Sequence, residues 1–450
     1  MKIIIIDDDP TGSQTVHDCL LLLRWDYQTL LKGLKSKSNL LFILANTRSL
    51  SEEDVEYRLN EICISLKNVI SREEFKDQNF LLVSRGDSTL RGHNFLEPFV
   101  INKILGPFDA TFHIPAFLEG NRTTLNGQHY VKGVLAHKTI YAKDRIFGYQ
   151  TSFIKSLLIQ KSNSKLNEEN VKNLNLLELD LLDVNKQNRI YKFLDNLRSN
   201  KHIIVDIDNH QKLEKFCDAI KKLSLHKRFL FRTAASFIST ISDTKKNNKN
   251  NLYYSKLRRK NKQNNFLPGL IIVGSYNELS SNQLKNFLQL ESSKGVELNV
   301  FHFQEILNIE NNDNLIFNFK NQILNDLRNI FKESYTPVLF TSRELITFEY
   351  DYEQIKFCNF LSSFIAEIVS EIKYEIGYLI SKGGITSNTI LQKGFNIDYV
   401  YLEGQIITGI SLLTLQLLNS NSKIPVVTFP GNLGEENSLI SVWQAIEKSN

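Results

Sequence analysis

Three consecutive aspartates, Asp7, Asp8 and Asp9, follow four isoleucines and precede Pro-Thr-Gly in the stretch IIIIDDDPTG (residues 3–12). Carboxylates repel one another and resist burial. Three of them at the mouth of an apolar strand call for a cation, a hydroxyl-rich ligand or a helix N-terminus. Gly12 permits a tight turn, and Thr11 or Ser13 is placed to cap a following helix. Acidic residues at the carboxyl end of a buried strand also sit where open α/β sheets bind ligands.

A second polar cluster, SRGDSTLRGH (residues 84–93), again follows an apolar run. It offers two guanidinium forks (Arg85, Arg91), a carboxylate (Asp87), two hydroxyls (Ser88, Thr89) and His93. Arginine forks recognise carboxylate or phosphate in two-point fashion, and Asp, Ser and Thr suit sugar hydroxyls. IPAFLEGNRTTLNGQHYV (residues 114–131) adds Glu119, Arg122, Asn126 and His129 on a glycine-punctuated segment, which places them at a pocket edge rather than in a core.

The later part of the chain carries glycine signals instead. KGGITSNTIL (residues 382–391) pairs glycines after a strand-like run, then hydroxyl residues, then a helical pattern; this reads as a backbone cradle for phosphate. VGSYN (residues 273–277) and FPGNLGEEN (residues 429–437) are two more small-residue turns at strand ends, and together the three point to one nucleotide site. Neither a GxxxxGK[ST] loop nor a GxGxxG fingerprint is present.

These groups must be positioned by alternating layers. Candidate strands at residues 2–6, 40–45, 80–83, 111–114 and 202–205 alternate with amphipathic stretches such as 52–69. A second alternation follows, with strands at 270–273, 296–300, 337–340, 377–380, 399–402 and 425–428 and a long helix over 355–372. The chain has 450 residues, long for a single core. The fold class expected is α/β: two α/β domains with largely parallel sheets and the ligand site in the cleft between them. The boundary falls in DTKKNNKNNLYYSKLRRKNKQNN (residues 243–265), a basic Asn/Lys-rich run with almost nothing to bury. The expected division is residues 1–242, a linker or insertion over 243–267, and 268–450.

With 42% hydrophobic and 23% charged residues the composition is that of a globular protein, and a formal charge of +5 argues for no nucleic-acid partner. The four cysteines (Cys19, Cys63, Cys217, Cys358) form no CxxC pair and read as reduced structural thiols, so a cytoplasmic location is expected. The chain opens directly on a strand-like run rather than a leader, and the greasiest piece, residues 19–23, is far too short to span a membrane.

Asp7-x-Asp9-x-Thr11 resembles the DxDx[TV] pattern of haloacid-dehalogenase-type phosphatases, in which the first aspartate is the nucleophile. The downstream acidic pair such enzymes need is incomplete: Gly86-Asp87 has no second acid, and Asp206 and Asp208 stand at a plain strand end. The whole set of motifs is similar to another family, the four-carbon acid sugar kinases, formerly a domain of unknown function. DDPTG, NTRSL (residues 46–50), RGDSTLRGH, PAFLEGNRTT, HYV and RTAASF (residues 232–237) resemble its first half. IIVGSYNELSSNQL, LFTSREL, KGGITSNTIL, GQIITG and FPGNLG resemble its second half, in family order.

The resemblance implies an ATP-dependent kinase that phosphorylates the terminal hydroxyl of threonate, erythronate or an oxo-tetronate. The N-terminal domain would hold the acid sugar and the C-terminal domain the nucleotide, with Mg²⁺ bridging the ATP phosphates. It implies sugar-acid positions at Asp8, Asp9, Arg85, Asp87, Ser88, Arg91 and Arg122. Nucleotide positions fall at Ser275, Gly383, Gly384, Ile385, Thr386, Gly431, Asn432, Leu433 and Gly434. Arg91 is first in line for the substrate carboxylate, and Asp9 or Asp8 for the proton of the attacking hydroxyl; the metal ligands are unassigned. Two positions depart from the family pattern: Gly86, where a larger residue such as Ser is usual, and Asn121, where Gly is usual. A phosphatase using Asp7 and Asp9, and a non-catalytic sugar-acid or nucleotide sensor, stand as alternatives; a homo-oligomer is compatible with either enzyme.

Overall fold

The computed structural model describes residues 1–9, 16–144, 146–175, 184–243, 251–344, 346–418 and 422–447. Thr11, Gly12 and Ser13, assigned above to the turn and cap, lie outside the described residues. The chain divides into two compact units, Met1–Lys246 and Asn247–Asn450.

In the first unit, β1 (Lys2–Asp7), β2 (Cys19–Leu22), β3 (Leu40–Leu44), β4 (Phe80–Arg85) and β5 (Ala110–Ile114) come first in the main sheet. A separate antiparallel ribbon, β6 (Arg122–Leu125), β7 (Gln128–Val131) and β8 (Val134–Leu135), precedes β9 (Val171–Leu174), β10 (Lys201–Val205) and β11 (Phe229–Thr233). The main sheet runs β2-β3-β1-β4-β11-β5-β10-β9, and every pair in it is parallel. A parallel sheet covered on both faces needs apolar residues at successive positions. The run Ile3–Ile6 meets that demand, with each isoleucine no more than 1% exposed. The helix Glu52–Ile70 begins as its sequence directs: Ser51 accepts from the Asp54 N–H, and Glu52, Glu53 and Asp54 place negative charge in the first turn.

The second unit contains β12 (Gly269–Val273), β13 (Ser293–Leu298), β14 (Thr336–Thr341), β15 (Tyr378–Lys382), β16 (Tyr399–Ile407), β17 (Ile410–Gln416) and β18 (Lys423–Phe429). They are ordered β13-β14-β12-β15-β18-β17-β16, parallel as far as β18 and antiparallel beyond it. Each strand expected from the sequence coincides with one of these, but β13 ends at Leu298 and Val300 already opens a helix.

The basic stretch 243–265 is not uniformly solvated. Residues 244–250 lie outside the described residues. Beyond them, Tyr254 is buried in the second unit's core, and its hydroxyl donates to the Gln405 carbonyl at 2.9 Å. Arg259 is also buried, and its Nη1 donates to the carbonyls of Lys373 and Ile376, each at 3.0 Å. The expectation of nothing to bury fails because an aromatic ring and an arginine with a long apolar stem both pack well despite a polar surrounding sequence.

Candidate functional site

The chain leaves β1 for β2 and β3 on one side and returns as β4 on the other, so the carboxyl ends of β1 and β4 form the switch point of the first sheet. Asp7 stands in register with Arg85, and Arg85 with Thr233 of β11. The first acidic cluster and the SRGDSTLRGH motif therefore meet.

Asp8 is completely buried and surrounded by guanidinium groups. Arg48, on the short turn Thr47–Ser49 after β3, reaches Asp8 Oδ1 at 2.6 Å and Asp9 Oδ2 at 2.7 Å. Arg85 Nη1 lies 3.4 Å from Asp8 Oδ1 and 3.5 Å from Asp7 Oδ1. Arg232, on β11, places Nη2 3.6 Å from Asp8 Oδ2 and Nη1 2.6 Å from Glu97. Glu97 is itself buried and accepts from Thr47 and Ser84. Arg85 Nε and Arg232 Nε and Nη2 are buried without a hydrogen-bond acceptor, so this cationic floor has donor capacity left over.

Burial pushes the Asp7 carboxyl up to about 7, with Asp8 and Asp9 adding to it and Arg85 opposing it. Asp87 behaves oppositely. Burial alone would raise it, but Arg48, Arg91 and hydrogen bonds from Arg91 and Thr89 outweigh burial and hold it well below the usual carboxylate range. Arg91 Nε donates to Asp87 at 2.8 Å, and its Nη1 faces Asp144 at 3.5 Å. Arg122 Nη1 donates to the Ser88 hydroxyl at 2.5 Å, while its Nε is buried without an acceptor. Both guanidinium groups lie over the Tyr141 ring, at 5.4 and 5.8 Å from its centre.

The two departures from the family pattern have local causes. A Cβ on Gly86 would stand 2.5 Å from Arg232 Cζ, so the guanidinium occupies the room a side chain would need. Asn121 is left-handed at φ 54°, a conformation Asn tolerates better than most residues. One polar residue expected at a pocket edge serves the fold instead. His129 is fully buried between Thr124 and the Ser88 carbonyl, and burial takes its imidazole down to about 4. Asp206 accepts from the N–H groups of Asn126 and Gly127, pinning the β6–β7 turn, and Asp208 pairs with Lys212.

In the second unit, the turns after β12, β15 and β18 pack on one another. Gly274 and Ser275 donate their N–H groups to the Lys382 carbonyl at 3.0 and 3.2 Å, and Gly383 donates to Phe429 at 2.9 Å. A Cβ on Gly274 would lie 2.3 Å from Thr386 Oγ1, and one on Gly431 2.2 Å from Ser275 Oγ. Gly383 adopts φ 128°, which side chains rarely do. The three glycine turns are thus one structure, as their chemistry implies, but the N–H groups of Ser275 and Gly383 are engaged within it. The donors without an acceptor inside their own helix are those of its first turn, Gly384–Thr386. Arg343 ties the cradle to β14, donating to the Ser275 carbonyl at 2.7 Å and that of Thr341 at 2.6 Å. Asn432 is exposed, Leu433 leans on Gly409, and Gly434 has φ 87°.

Beside the cradle is a mainly apolar cavity of about 120 Å³, lined by Gly274, Tyr276, Val300, Phe348, Phe357, Ile385 and Thr386 among others. Its aromatic wall comes from the run ITFEYDYEQIKF, whose density of rings was the available signal. Arg48, Glu97 and Arg232 in the first unit were also absent from the sequence-derived site. Arg48 follows the apolar strand β3, Arg232 stands within the apolar β11, and Glu97 is the one acid of the mostly apolar helix Leu96–Leu105. Among the described residues no group of three or more His, Cys, Asp or Glu could hold a metal ion. Among them, too, no helix is long and apolar enough to cross a membrane.

Two domain families match the chain: a sugar-binding N-terminal domain over residues 3–241 and a nucleotide-binding C-terminal domain over residues 270–439. The chain belongs to the family that joins these two domains, the four-carbon acid sugar kinase family. Its fold is shared by a Haemophilus influenzae protein assigned to the DUF1537 family (15% identity, 98% of each chain covered, TM-score 0.65). It is shared as well by a Salmonella typhimurium LT2 protein provisionally named a tRNA synthase (12% identity, 99% of this chain and 100% of that one, TM-score 0.69). No curated protein matches the chain.

Proposed function

We propose that the protein is an ATP-dependent kinase that transfers the terminal phosphoryl group of ATP to the terminal hydroxyl of a four-carbon acid sugar of the threonate, erythronate or oxo-tetronate type. The observation that carries the reading is the cationic floor at the ends of β1, β4 and β11, where buried arginines with unused donors surround Asp8 beside the more open Asp9. Such a floor suits a small hydroxylated anion. Asp8, enclosed by Arg48, Arg85 and Arg232, acts as the counter-charge that organises these forks. Asp9, 22% exposed and held by Arg48 at 2.7 Å, orients the attacking hydroxyl and takes its proton. Arg91 and Arg122, steadied by Tyr141, bind the sugar-acid carboxylate, with Asp87 and Ser88 on the hydroxyls. In the second unit the Gly383–Thr386 and Gly431–Gly434 turns take the phosphates, and the apolar cavity takes the base.

Phosphoryl transfer depends mainly on positioning and charge neutralisation. Magnesium would enter with the nucleotide phosphates, since among the described residues no group of three or more His, Cys, Asp or Glu is placed to hold it. When bound it neutralises phosphate charge.

The test is product analysis with ATP, Mg²⁺ and a panel of four-carbon sugar acids. ADP and a phosphorylated acid should form only when an acid of the panel is present, and Asp9→Asn should lower kcat about 10²-fold or more while nucleotide affinity holds. Release of phosphate from sugar phosphates without ATP use would sink the kinase reading in favour of the phosphatase.

A further inference from the structure

The amine of Lys382 takes no part in the reading above. Lys382 ends β15, and its side chain is fully buried. Lysine is almost never fully buried unless paired, yet among the described residues no carboxylate pairs with this one. Its Nζ lies 3.7 Å from the centre of the Phe429 ring and donates to the Pro430 carbonyl at 3.1 Å, one of three donors the ammonium carries. Burial alone brings the amine down to about 7. β12 and the helix Gly384–Thr389 contain no titratable residue, and Lys423 stands at the opposite end of β18.

The position is as telling as the burial. The Lys382 carbonyl accepts from Gly274 and Ser275, the next residue is Gly383, and the amine's acceptor, Pro430, adjoins Gly431. All three glycine turns are joined through this one residue. We infer that Lys382 is a phosphate-responsive cation beneath the three turns, and that nucleotide binding there is coupled to proton uptake by its amine. The inference rests on the nucleotide reading of the second unit.

A phosphate brings negative charge to a desolvated region, where an opposite charge within about 4–6 Å moves a pKa by about 1–3 units toward the charged form. The proton comes from solvent, and no bond of the nucleotide changes. A lysine serving only to fill space would bind or release no proton when the cradle is loaded.

Isothermal titration of the full chain with ADP and Mg²⁺ at pH 8, in buffers of different ionisation enthalpy, separates these cases. An amine with a pKa near 7 is about nine-tenths neutral at pH 8, so a rise of about 1–3 units predicts uptake of about 0.4 to 0.9 proton per ADP. Lys382→Met should abolish the buffer dependence and weaken ADP binding about tenfold or more, and Lys382→Arg should bind ADP without uptake. Buffer-independent heats in the parent, or uptake that persists in Lys382→Met, would overturn the inference while leaving ADP binding intact. A parent that gives no ADP heat at all overturns the nucleotide reading itself and the inference with it. If Lys382→Met does not fold, carbon-13 NMR of the lysine ε positions in the parent decides. A midpoint near 7 should move up by about one unit or more on adding ADP, and an unmoved midpoint counts against coupling.

Discussion

The two candidate ligand regions are built on opposite principles. In the first unit the site is made of side chains: Asp8 and Glu97 are buried among Arg48, Arg85 and Arg232. In the second unit it is made largely of missing side chains, because Gly274, Gly383 and Gly431 let three turns approach within contact distance. A charge-built site fails when a counter-ion is removed. A glycine-built site fails when an atom is added.

The largest effect should come from Arg232→Met, which leaves Glu97 buried and uncompensated and removes one of the cations around Asp8. Breaking such a pair costs about 3–5 kcal/mol, so the first unit should melt well below the parent in calorimetry while ADP binding is retained. Adding Glu97→Gln should restore part of the loss, and a double variant as unstable as the single would show that the pairing is not what matters.

The mirror experiment is Gly431→Val. Its Cβ would collide with Ser275 Oγ, and overpacking costs about 1–3 kcal/mol. ADP affinity should fall at least as far, about 5- to 150-fold by titration, with the sugar-acid affinity unmoved. Equal loss of both ligands would erase the contrast between the regions.

Arg91→Ala removes a fork that a carboxylate would use, a charge-assisted bond worth about 1.5–3 kcal/mol, or roughly 10- to 150-fold in kcat/KM for the sugar acid. The loss of the Asp87 and Asp144 contacts should not alter ADP binding. A variant that lost ADP while keeping the acid would reverse the division of labour between the units.

The smallest effect concerns Asp7. Its folded pKa is raised to about 7, above the unfolded value, so the folded state holds the extra proton and stability falls as pH rises from about 4 to 7. Asp7→Asn cannot ionise. It should raise the melting temperature at pH 8, by about 2–4 °C per kcal/mol regained, and change little near pH 4. Equal shifts at both pH values would mean that packing, not charge, dominates there. Retained kinase turnover would also remove Asp7 as a nucleophile.

Much of the arrangement is legible in the chain itself. The isoleucine run, the alternation of strands with amphipathic helices and the glycine turns after apolar strands follow from backbone sterics and burial over a few residues. They are enough to fix α/β layers and to place Asp8, Asp9, Arg85 and the Gly383 turn at strand ends. Short-range patterning missed β2, the β6–β8 ribbon, β9, β11 and β17, whose runs are short or lie against polar residues.

What only the tertiary structure decided is which distant groups share a space. Strand order in a parallel sheet is chosen by packing after local structure forms, so nothing near Ser84 announces that Arg232, 148 residues later, will donate to it. That choice turns Gly86 from a departure into a requirement, places Glu97 against Arg232, and buries Tyr254 and Arg259 out of a stretch that reads as solvent-exposed. It also puts the Lys382 amine on the face of Phe429 beneath three turns. Local sequence sets each residue's chemistry and backbone preference, but the partners that desolvate a charge or neutralise it are brought in only when the sheet closes.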